Sequence, residues 1–159
     1  MKILDLSAGR RGIWFDKEYP DTTYVDIRPE VSPTIVADAR SLPPEVGDGF
    51  DLIVFDPPHV NFGMNANMSR DYGHHSTAEI RDILSGSARE AYRVSVPDAL
   101  MALKWNDHDQ KLDSVLSLVS PWWIPLFGQK TSTRTKHSST TFWVMLRRAT
   151  LAPAAEEED

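Results

Sequence analysis

The chain lacks cysteine altogether and has no long hydrophobic run. Because none of its 159 residues carries a thiol, disulfide bonds, thiolate zinc sites, iron–sulfur clusters and cysteine nucleophiles are excluded. No segment approaches the roughly 18 consecutive apolar residues that a membrane helix needs, and residues 1–5 are unlike a signal peptide. We therefore expect a protein of a reducing compartment such as the cytoplasm, with no membrane partner.

Positive charge is also scarce, and it is unevenly distributed. The 17 Lys and Arg residues face 23 Asp and Glu residues, which gives a net charge of −6. Residues 156–159 are all acidic, whereas residues 103–148 carry seven basic and three acidic side chains. The acidic net charge therefore does not exclude a polyanionic partner at this C-terminal third. We expect one domain over residues 1–148 and an acidic, disordered tail over residues 149–159.

Short apolar runs alternate with segments of helical periodicity. Strands are predicted at 2–6, 22–27, 34–37, 50–55, 99–105, 122–127 and 140–146. Apolar spacing predicts one helix that begins with Thr77 as its cap and another over residues 110–119. The expected order is β-α-β-α-β-β-α-β-α-β-β, which indicates an α/β domain with a mainly parallel sheet and a closing hairpin-like pair. Ligands of such sheets bind at the carboxyl ends of the strands.

Three of the predicted strands end in residues suited to a ligand that contains adenosine. Residues 5–12, Asp-Leu-Ser-Ala-Gly-Arg-Arg-Gly, resemble a Gly-rich nucleotide loop in which Gly9 can take a positive φ at little cost. Asp26, after the second strand, can accept hydrogen bonds from both ribose hydroxyls. Asp38, after the third, can accept one from the exocyclic amine of adenine. For each position, a turn or a helix cap is the alternative interpretation.

The fourth strand ends in Asp56-Pro57-Pro58-His59, the most specific motif in the chain. The two prolines fix φ and remove two backbone donors, so the carbonyl groups here act as acceptors. The Asp56 carboxylate and the Pro57 carbonyl together form a receptor for an –NH2 group. Accepting both hydrogens directs electron density to the nitrogen and orients its lone pair, which helps because an aromatic amine is a poor nucleophile. An ordinary turn is the alternative.

In their order and spacing, these strand ends resemble the class I S-adenosylmethionine-dependent methyltransferases. The likeness is to the small bacterial and phage-type amino-methyltransferases, whose signature is (Asn/Asp)-Pro-Pro-(aromatic). It continues through Leu103-Lys104-Trp105-Asn106, Pro125-Leu126-Phe127-Gly128 and residues 140–146, and it covers residues 1–148. The resemblance implies a Rossmann-like three-layer sandwich with a seven-stranded, mostly parallel sheet and an antiparallel last strand. It also implies S-adenosylmethionine as the cofactor.

The resemblance further implies a role for each motif residue. The residues that it places against the methionine part of the cofactor are Asp5, Ser7, Ala8 and Gly9. It implies that Asp26 holds the ribose and that Asp38, with the Ala39 backbone, binds adenine. It assigns the catalytic site to Asp56, Pro57, Pro58 and His59. The related enzymes usually have Tyr or Phe in place of His59, so Phe62 and Tyr72 are alternative sources of the ring.

Two polar segments, residues 60–76 and 128–139, are candidates for binding the methyl acceptor. The first directly follows the fourth strand and has the length of a lid. The second is basic and rich in hydroxyl groups, and it lies at the same sheet edge as the site if the sixth strand is parallel to the first five. The candidate substrate-binding residues are Phe62, Asn106, Lys130 and Arg134. We expect single-stranded or structured nucleic acid as the partner and no metal, since the adjacent His74 and His75 are poorly spaced as ligands.

Several functions remain open on this sequence. Methylation of an exocyclic nucleobase amine, of adenine rather than cytosine, in DNA or RNA is favoured. The alternatives are a non-catalytic methyltransferase-like subunit that needs a partner and a methyltransferase that acts on a small molecule. An NAD-dependent oxidoreductase is disfavoured, because it leaves the Asp-Pro-Pro-His motif unexplained.

Overall fold

The computed structural model describes residues 1–59, 75–132 and 140–150. Seven strands in these residues form one sheet in the order β3-β2-β1-β4-β5-β7-β6. The strands are β1 (Ile3–Asp5), β2 (Thr22–Asp26), β3 (Ile35–Val36), β4 (Phe50–Phe55), β5 (Ser95–Asn106), β6 (Trp123–Ser132) and β7 (Thr140–Arg148). Helix α1 (Thr77–Val94) connects β4 to β5, and helix α2 (Leu112–Val119) connects β5 to β6.

The strand directions place the carboxyl ends of six strands at one edge of the sheet. Neighbours among β1 to β5 pair in parallel, whereas β7 is antiparallel to both β5 and β6. Strand β6 is therefore parallel to β1–β5. This is the condition under which residues 128–139 are expected at the same sheet edge as the site. The predicted seven-stranded, mostly parallel sheet with an antiparallel last strand is confirmed.

The main core lies between the sheet and helix α1. A capping box starts this helix: the Ser76 hydroxyl accepts from the Glu79 N–H (3.2 Å), and the Glu79 carboxylate accepts from the Ser76 N–H (3.3 Å). The cap is thus Ser76 and not Thr77, since Thr77 is already helical. The fully buried stripe consists of Ile80, Leu84, Ala88 and Ala91. Helix α2 contacts α1, so both helices cover the same face of the sheet.

The predicted helices between β1 and β2 and between β2 and β3 are wrong. Residues 6–21 form turns and bends, and the second connection contains a single 3-10 turn, Pro29–Val31. Gly9, Arg11 and Asp21 all take positive φ, which interrupts a right-handed helix. The second connection is only eight residues long and contains two prolines.

The irregular segment 6–21 covers the opposite face of the sheet in place of a helix. Its Trp14 ring packs edge-on against Tyr24, with centroids 5.3 Å apart, and the Arg11 guanidinium lies 3.9 Å from the centre of the Tyr24 ring. Tyr24 alternates along β2 with Val25, which belongs to the main core. Successive strand residues point to opposite faces, so segment 6–21 and the helices lie on different sides.

The folded part extends one residue beyond the predicted boundary at 148. Ala149 is buried, and its N–H donates to the carbonyl of Trp122 (2.9 Å). Residues 151–159, which make up most of the predicted tail, lie outside the described residues. Among the described helices, none is both long enough and apolar enough to cross a membrane.

Candidate functional site

A cleft of about 550 Å³ lies at the carboxyl ends of the parallel strands. This is the place where open α/β sheets bind ligands, and the volume is in the range of small-molecule sites. The predicted site residues that line it are Ser7, Ala8, Gly9, Asp26, Asp38, Ala39, Asp56 and Pro58. The predicted residues that do not line it are Asp5, Pro57, His59, Asn106 and Lys130. Phe62 and Arg134 lie outside the described residues.

Asp26 holds the loop that follows β1. Its Oδ2 accepts from the Gly9 N–H (2.8 Å), and its Oδ1 accepts from the Arg28 N–H (2.9 Å) and from Arg28 Nε (3.0 Å). Gly9 has φ +51°, and a Cβ at this position would lie 3.4 Å from Arg28 Nη2. The loop therefore approaches the carboxylate at the end of β2 closely, which favours glycine at position 9.

Asp38 is paired with an arginine in the same way. Arg40 donates to it from Nη2 (2.7 Å) and binds Asp82 of helix α1 through Nη1 (2.7 Å). The hydrogen bonds from Arg40 hold the pKa of Asp38 below its ordinary value. Arg28 and Arg40 are not among the site residues predicted from the sequence. The repeated Asp-x-Arg spacing was the signal that could have revealed both arginines, since each follows its carboxylate by two residues.

Asp56 is connected to both neighbouring strands. Its backbone N–H donates to the Ser7 hydroxyl (3.0 Å), which joins the end of β4 to the loop after β1. Its Oδ2 accepts from Lys104 Nζ of strand β5 (2.9 Å). Its Oδ1 is buried and has no hydrogen-bond partner within the described residues. A buried acceptor without a partner is unfavourable, and a ligand N–H would remove that penalty.

His59 and Pro57, the two residues of the motif that do not line the cleft, contact each other. The His59 Nδ1 lies 3.3 Å from the Pro57 carbonyl oxygen, and a neutral ring with its hydrogen on Nδ1 donates to it. The ring also packs edge-on against Trp105, with centroids 6.0 Å apart. Burial is the largest influence on this imidazole and lowers its pKa, with the Asp56 charge opposing. His59 is therefore neutral near pH 7.

Asp5 is buried within the fold, away from the cleft lining. It is 1% exposed, and its carboxylate accepts from the Trp14 indole N–H (2.7 Å) and from the Ser7 N–H (3.2 Å). Burial raises the pKa of Asp5 to about 6, although these two hydrogen bonds act in the opposite direction. The carboxyl group thus positions the loop through Ser7 and the irregular segment through Trp14.

The raised pKa of Asp5 predicts a stability that falls as pH rises. The folded chain holds the Asp5 proton more tightly than the unfolded chain, so the favourable contribution is present below the ordinary pKa of 3.8 and is lost as pH rises through about 6. The shift corresponds to about 3 kcal/mol. We expect the free energy of unfolding of the wild type, relative to Asp5→Asn, to fall by up to about 3 kcal/mol between about pH 4 and pH 7.

Urea titrations at several pH values measure this difference. The matched control is Asp98→Asn, because Asp98 is an exposed aspartate in β5. This variant measures the effect of an Asp-to-Asn substitution at an exposed position. A constant difference for Asp5→Asn would contradict the prediction.

Asn106 and Lys130 lie at the same sheet edge as the cleft but outside it. Asn106 Nδ2 donates to the Thr141 hydroxyl (3.0 Å), and its Oδ1 accepts from the His108 N–H (3.1 Å). This side chain therefore joins β5 to β7. Lys130 is exposed in β6, opposite Phe142 in the β6–β7 register. In the part of the chain that the structure describes, no group of three His, Cys, Asp or Glu side chains is placed to hold a metal ion.

No family model and no curated protein matches the chain, whereas solved structures do. The N-methyltransferase NodS from Bradyrhizobium japonicum WM9, in complex with S-adenosyl-L-homocysteine, matches with a TM-score of 0.64 and 11% identity over 92% of this chain and 77% of that chain. The chain has a class I methyltransferase fold. The Burkholderia thailandensis 1,6-didemethyltoxoflavin-N1-methyltransferase, with its substrate and S-adenosylhomocysteine bound, gives 0.58 and 13% over 93% and 71%. An rRNA methylase from Streptococcus thermophilus gives 0.56 and 11% over 93% and 86%.

Proposed function

We propose that the chain is an S-adenosylmethionine-dependent methyltransferase that methylates the exocyclic amine of a nucleobase, adenine rather than cytosine, in DNA or RNA. The observation that carries this proposal is the state of Asp56. It lines the cleft at the end of β4, with one oxygen bound by Lys104 and the other buried without a hydrogen-bond partner in the described residues. An amine N–H is the donor that this second oxygen lacks.

The lining of the cleft fits the proposed cofactor. Ser7, Ala8 and Gly9 are small enough for a methionine chain to approach the backbone. In this proposal the Asp26 carboxylate holds the ribose, and Asp38 with Ala39 binds adenine. Asp26 already accepts four hydrogen bonds, one from the Gly9 N–H and three from Arg28, which matches the roughly four lone-pair sites of a carboxylate. Ribose hydroxyls therefore bind Asp26 by replacing contacts of the Arg28 side chain.

Positioning accounts for most of the proposed catalysis. The bound cofactor would supply an electrophilic methyl group: its bond to sulfur would break with the electron pair left on sulfur, the acceptor nitrogen would bond to it, and that nitrogen would then lose one proton to solvent. Asp56 accepts an N–H of the amine and so aims the nitrogen lone pair, and Ser7 fixes the Asp56 backbone. Reacting atoms held about 3–3.5 Å apart gain most of the rate from orientation alone. Pro58 lines the cleft beside Asp56.

The choice of a nucleic acid rests on charge and on the sheet edge. Residues 128–139 carry Lys130, Arg134 and Lys136 in the sequence, and residues 128–132 form the carboxyl end of β6, at the sheet edge where the cleft lies. Three phosphate contacts correspond to a slope of about −2 to −3 in log affinity against log salt. A base inside a duplex has to be flipped out before reaction, so single-stranded or structured nucleic acid is the expected partner. Among the matched structures, one is an rRNA methylase.

Methyl transfer to defined acceptors tests the proposal. Radiolabelled S-adenosylmethionine is incubated with the chain and unmethylated single-stranded DNA, duplex DNA or RNA, and the products are analysed as nucleosides. Calorimetry measures the binding of S-adenosylmethionine and S-adenosylhomocysteine in parallel. We expect label on the adenine amine. Binding of the cofactor with label only on small amines would favour a small-molecule methyltransferase, and label only with a co-purifying chain would favour a partner-dependent subunit. The absence of cofactor binding would contradict the proposal as a whole.

A further inference from the structure

Lys104 lies beside Asp56 because their strands are parallel neighbours. Phe55 of β4 pairs with Leu103 of β5, so the next residue of each chain segment meets the other at the carboxyl edge. Both side chains line the cleft, and Nζ lies 2.9 Å from Oδ2. The side chains are only 26% and 16% exposed, respectively, so solvent screens their charges weakly.

The pair presents a hydrogen-bond donor next to an acceptor. An ammonium group has three donors, and Lys104 uses one of them on Asp56 Oδ2; no other acceptor for it is found in the described residues. Asp56 Oδ1 is the acceptor without a partner there. A carboxylate that only stabilised the fold would gain from having both oxygens satisfied. The pair instead leaves a hydrogen-bond donor on Lys104 and the acceptor Asp56 Oδ1 for a ligand.

A heteroaromatic amine with an N–C=N edge has the complementary pattern. Its exocyclic –NH2 is a donor, and the adjacent ring nitrogen is an acceptor, as at N6 and N1 of adenine and at N4 and N3 of cytosine. An aliphatic amine has no such neighbouring acceptor. We propose that Lys104 determines acceptor specificity by donating a hydrogen bond to the ring nitrogen while Asp56 accepts one from the amine. This inference rests on the proposed function and narrows its acceptor class.

Two consequences follow for the acceptor. The paired atoms belong to the edge that adenine and cytosine use in base pairing, so a base held in this way is unpaired and single strands are preferred to duplexes. The ammonium group also draws electron density from the ring, while Asp56 returns density to the amine through the N–H bond. Because the ring nitrogen accepts this hydrogen bond before as well as during methyl transfer, Lys104 acts on KM for the acceptor more than on kcat.

A ligand that lacks only the ring nitrogen tests this contact. Methyl transfer is measured on two single-stranded oligonucleotides that differ by adenine or 1-deazaadenine at the target position, for the wild type, Lys104→Met and Lys104→Gln. The wild type is expected to favour adenine about 10- to 100-fold in kcat/KM, as for a hydrogen bond to a charged group. Lys104→Met is expected to raise KM for adenine and to bring the ratio close to one. Lys111→Met is the matched control, because Lys111 is 74% exposed on its side chain, and it should keep the full preference.

The possible failures are distinguishable. A wild-type ratio close to one overturns the role of Lys104 whether or not the variants fold. A preference for adenine over 1-deazaadenine that persists in both Lys104 variants also overturns the role of Lys104. A loss of affinity for S-adenosylhomocysteine in Lys104→Met, with the acceptor preference intact, shows that Lys104 binds the cofactor instead. The absence of transfer to both oligonucleotides by the wild type overturns the proposed function, and this inference falls with it.

Discussion

Replacement of Asp56 with alanine is expected to abolish methyl transfer, with a fall of about 10²-fold or more in kcat. The affinity for S-adenosylmethionine is expected to change by less than about threefold, since the residues proposed to hold the cofactor lie on β1, β2 and β3. The difference between these two effects comes from the position of Asp56. Its free carboxylate oxygen is proposed to contact the acceptor, and the backbone contact with Ser7 does not depend on the side chain. Single-turnover transfer and calorimetry measure the two quantities.

An asparagine at position 56 tests the effect of the hydrogen bond separately from the effect of the negative charge. Asp56→Asn keeps an acceptor oxygen but replaces the carboxylate that Lys104 binds, so we expect partial activity, between the wild type and the alanine variant. Asp98→Ala removes an exposed carboxylate from β5 and should leave transfer and cofactor affinity unchanged. Equal losses of transfer and of cofactor affinity in Asp56→Ala would refute the assigned role, because the side chain would then act on the cofactor or on the fold.

The strands could be predicted from the sequence because their apolar runs are short, continuous and bounded by turn residues. Strand β4 was predicted with its observed ends, Phe50–Phe55. Strand β6 is predicted to end at residue 127 but continues to Ser132, because its polar end pairs with β7. The helices expected between β1 and β2 and between β2 and β3 are not found, and residues 7–21 show no apolar stripe. The topology predicts where the connection between β1 and β2 lies. Whether that connection is helical depends on its local sequence.

For the candidate site, the sequence predicted which residues meet at the sheet edge but not their partners. Asp26, Asp38 and Asp56 all line one cleft, as expected for residues that follow parallel strands. Their salt bridges depend on side-chain directions, which the sequence does not encode directly. The pairing of Lys104 with Asp56 required the β4–β5 register, in which Phe55 opposes Leu103. Register is a property of the assembled sheet and could not be obtained from strand positions alone.

Replacement of Asp26 with alanine is expected to lower the affinity for S-adenosylhomocysteine by about 10- to 100-fold, the effect of losing a hydrogen bond to a charged group. Asp26 also anchors the Gly9 N–H and Arg28, so a fall in affinity alone does not identify a ribose contact. A ligand without the ribose 2′-hydroxyl separates the two effects. Wild type is expected to bind 2′-deoxy-S-adenosylhomocysteine about 10-fold more weakly than the parent ligand, and Asp26→Ala should bind both equally.

Arg28→Ala supplies the control for this comparison, because it removes the guanidinium from Asp26 and keeps the carboxylate. The side chain of Arg28 makes two contacts to Asp26, through Nε (3.0 Å) and Nη2 (3.3 Å), whereas the Gly9 contact is independent of it. If the carboxylate binds ribose, Arg28→Ala keeps the preference for the 2′-hydroxyl and binds the cofactor at least as well as the wild type. A preference that disappears in Arg28→Ala and persists in Asp26→Ala would instead assign the ribose contact to the guanidinium. Calorimetric titration of the three proteins with the two ligands therefore decides which member of the pair recognises the sugar.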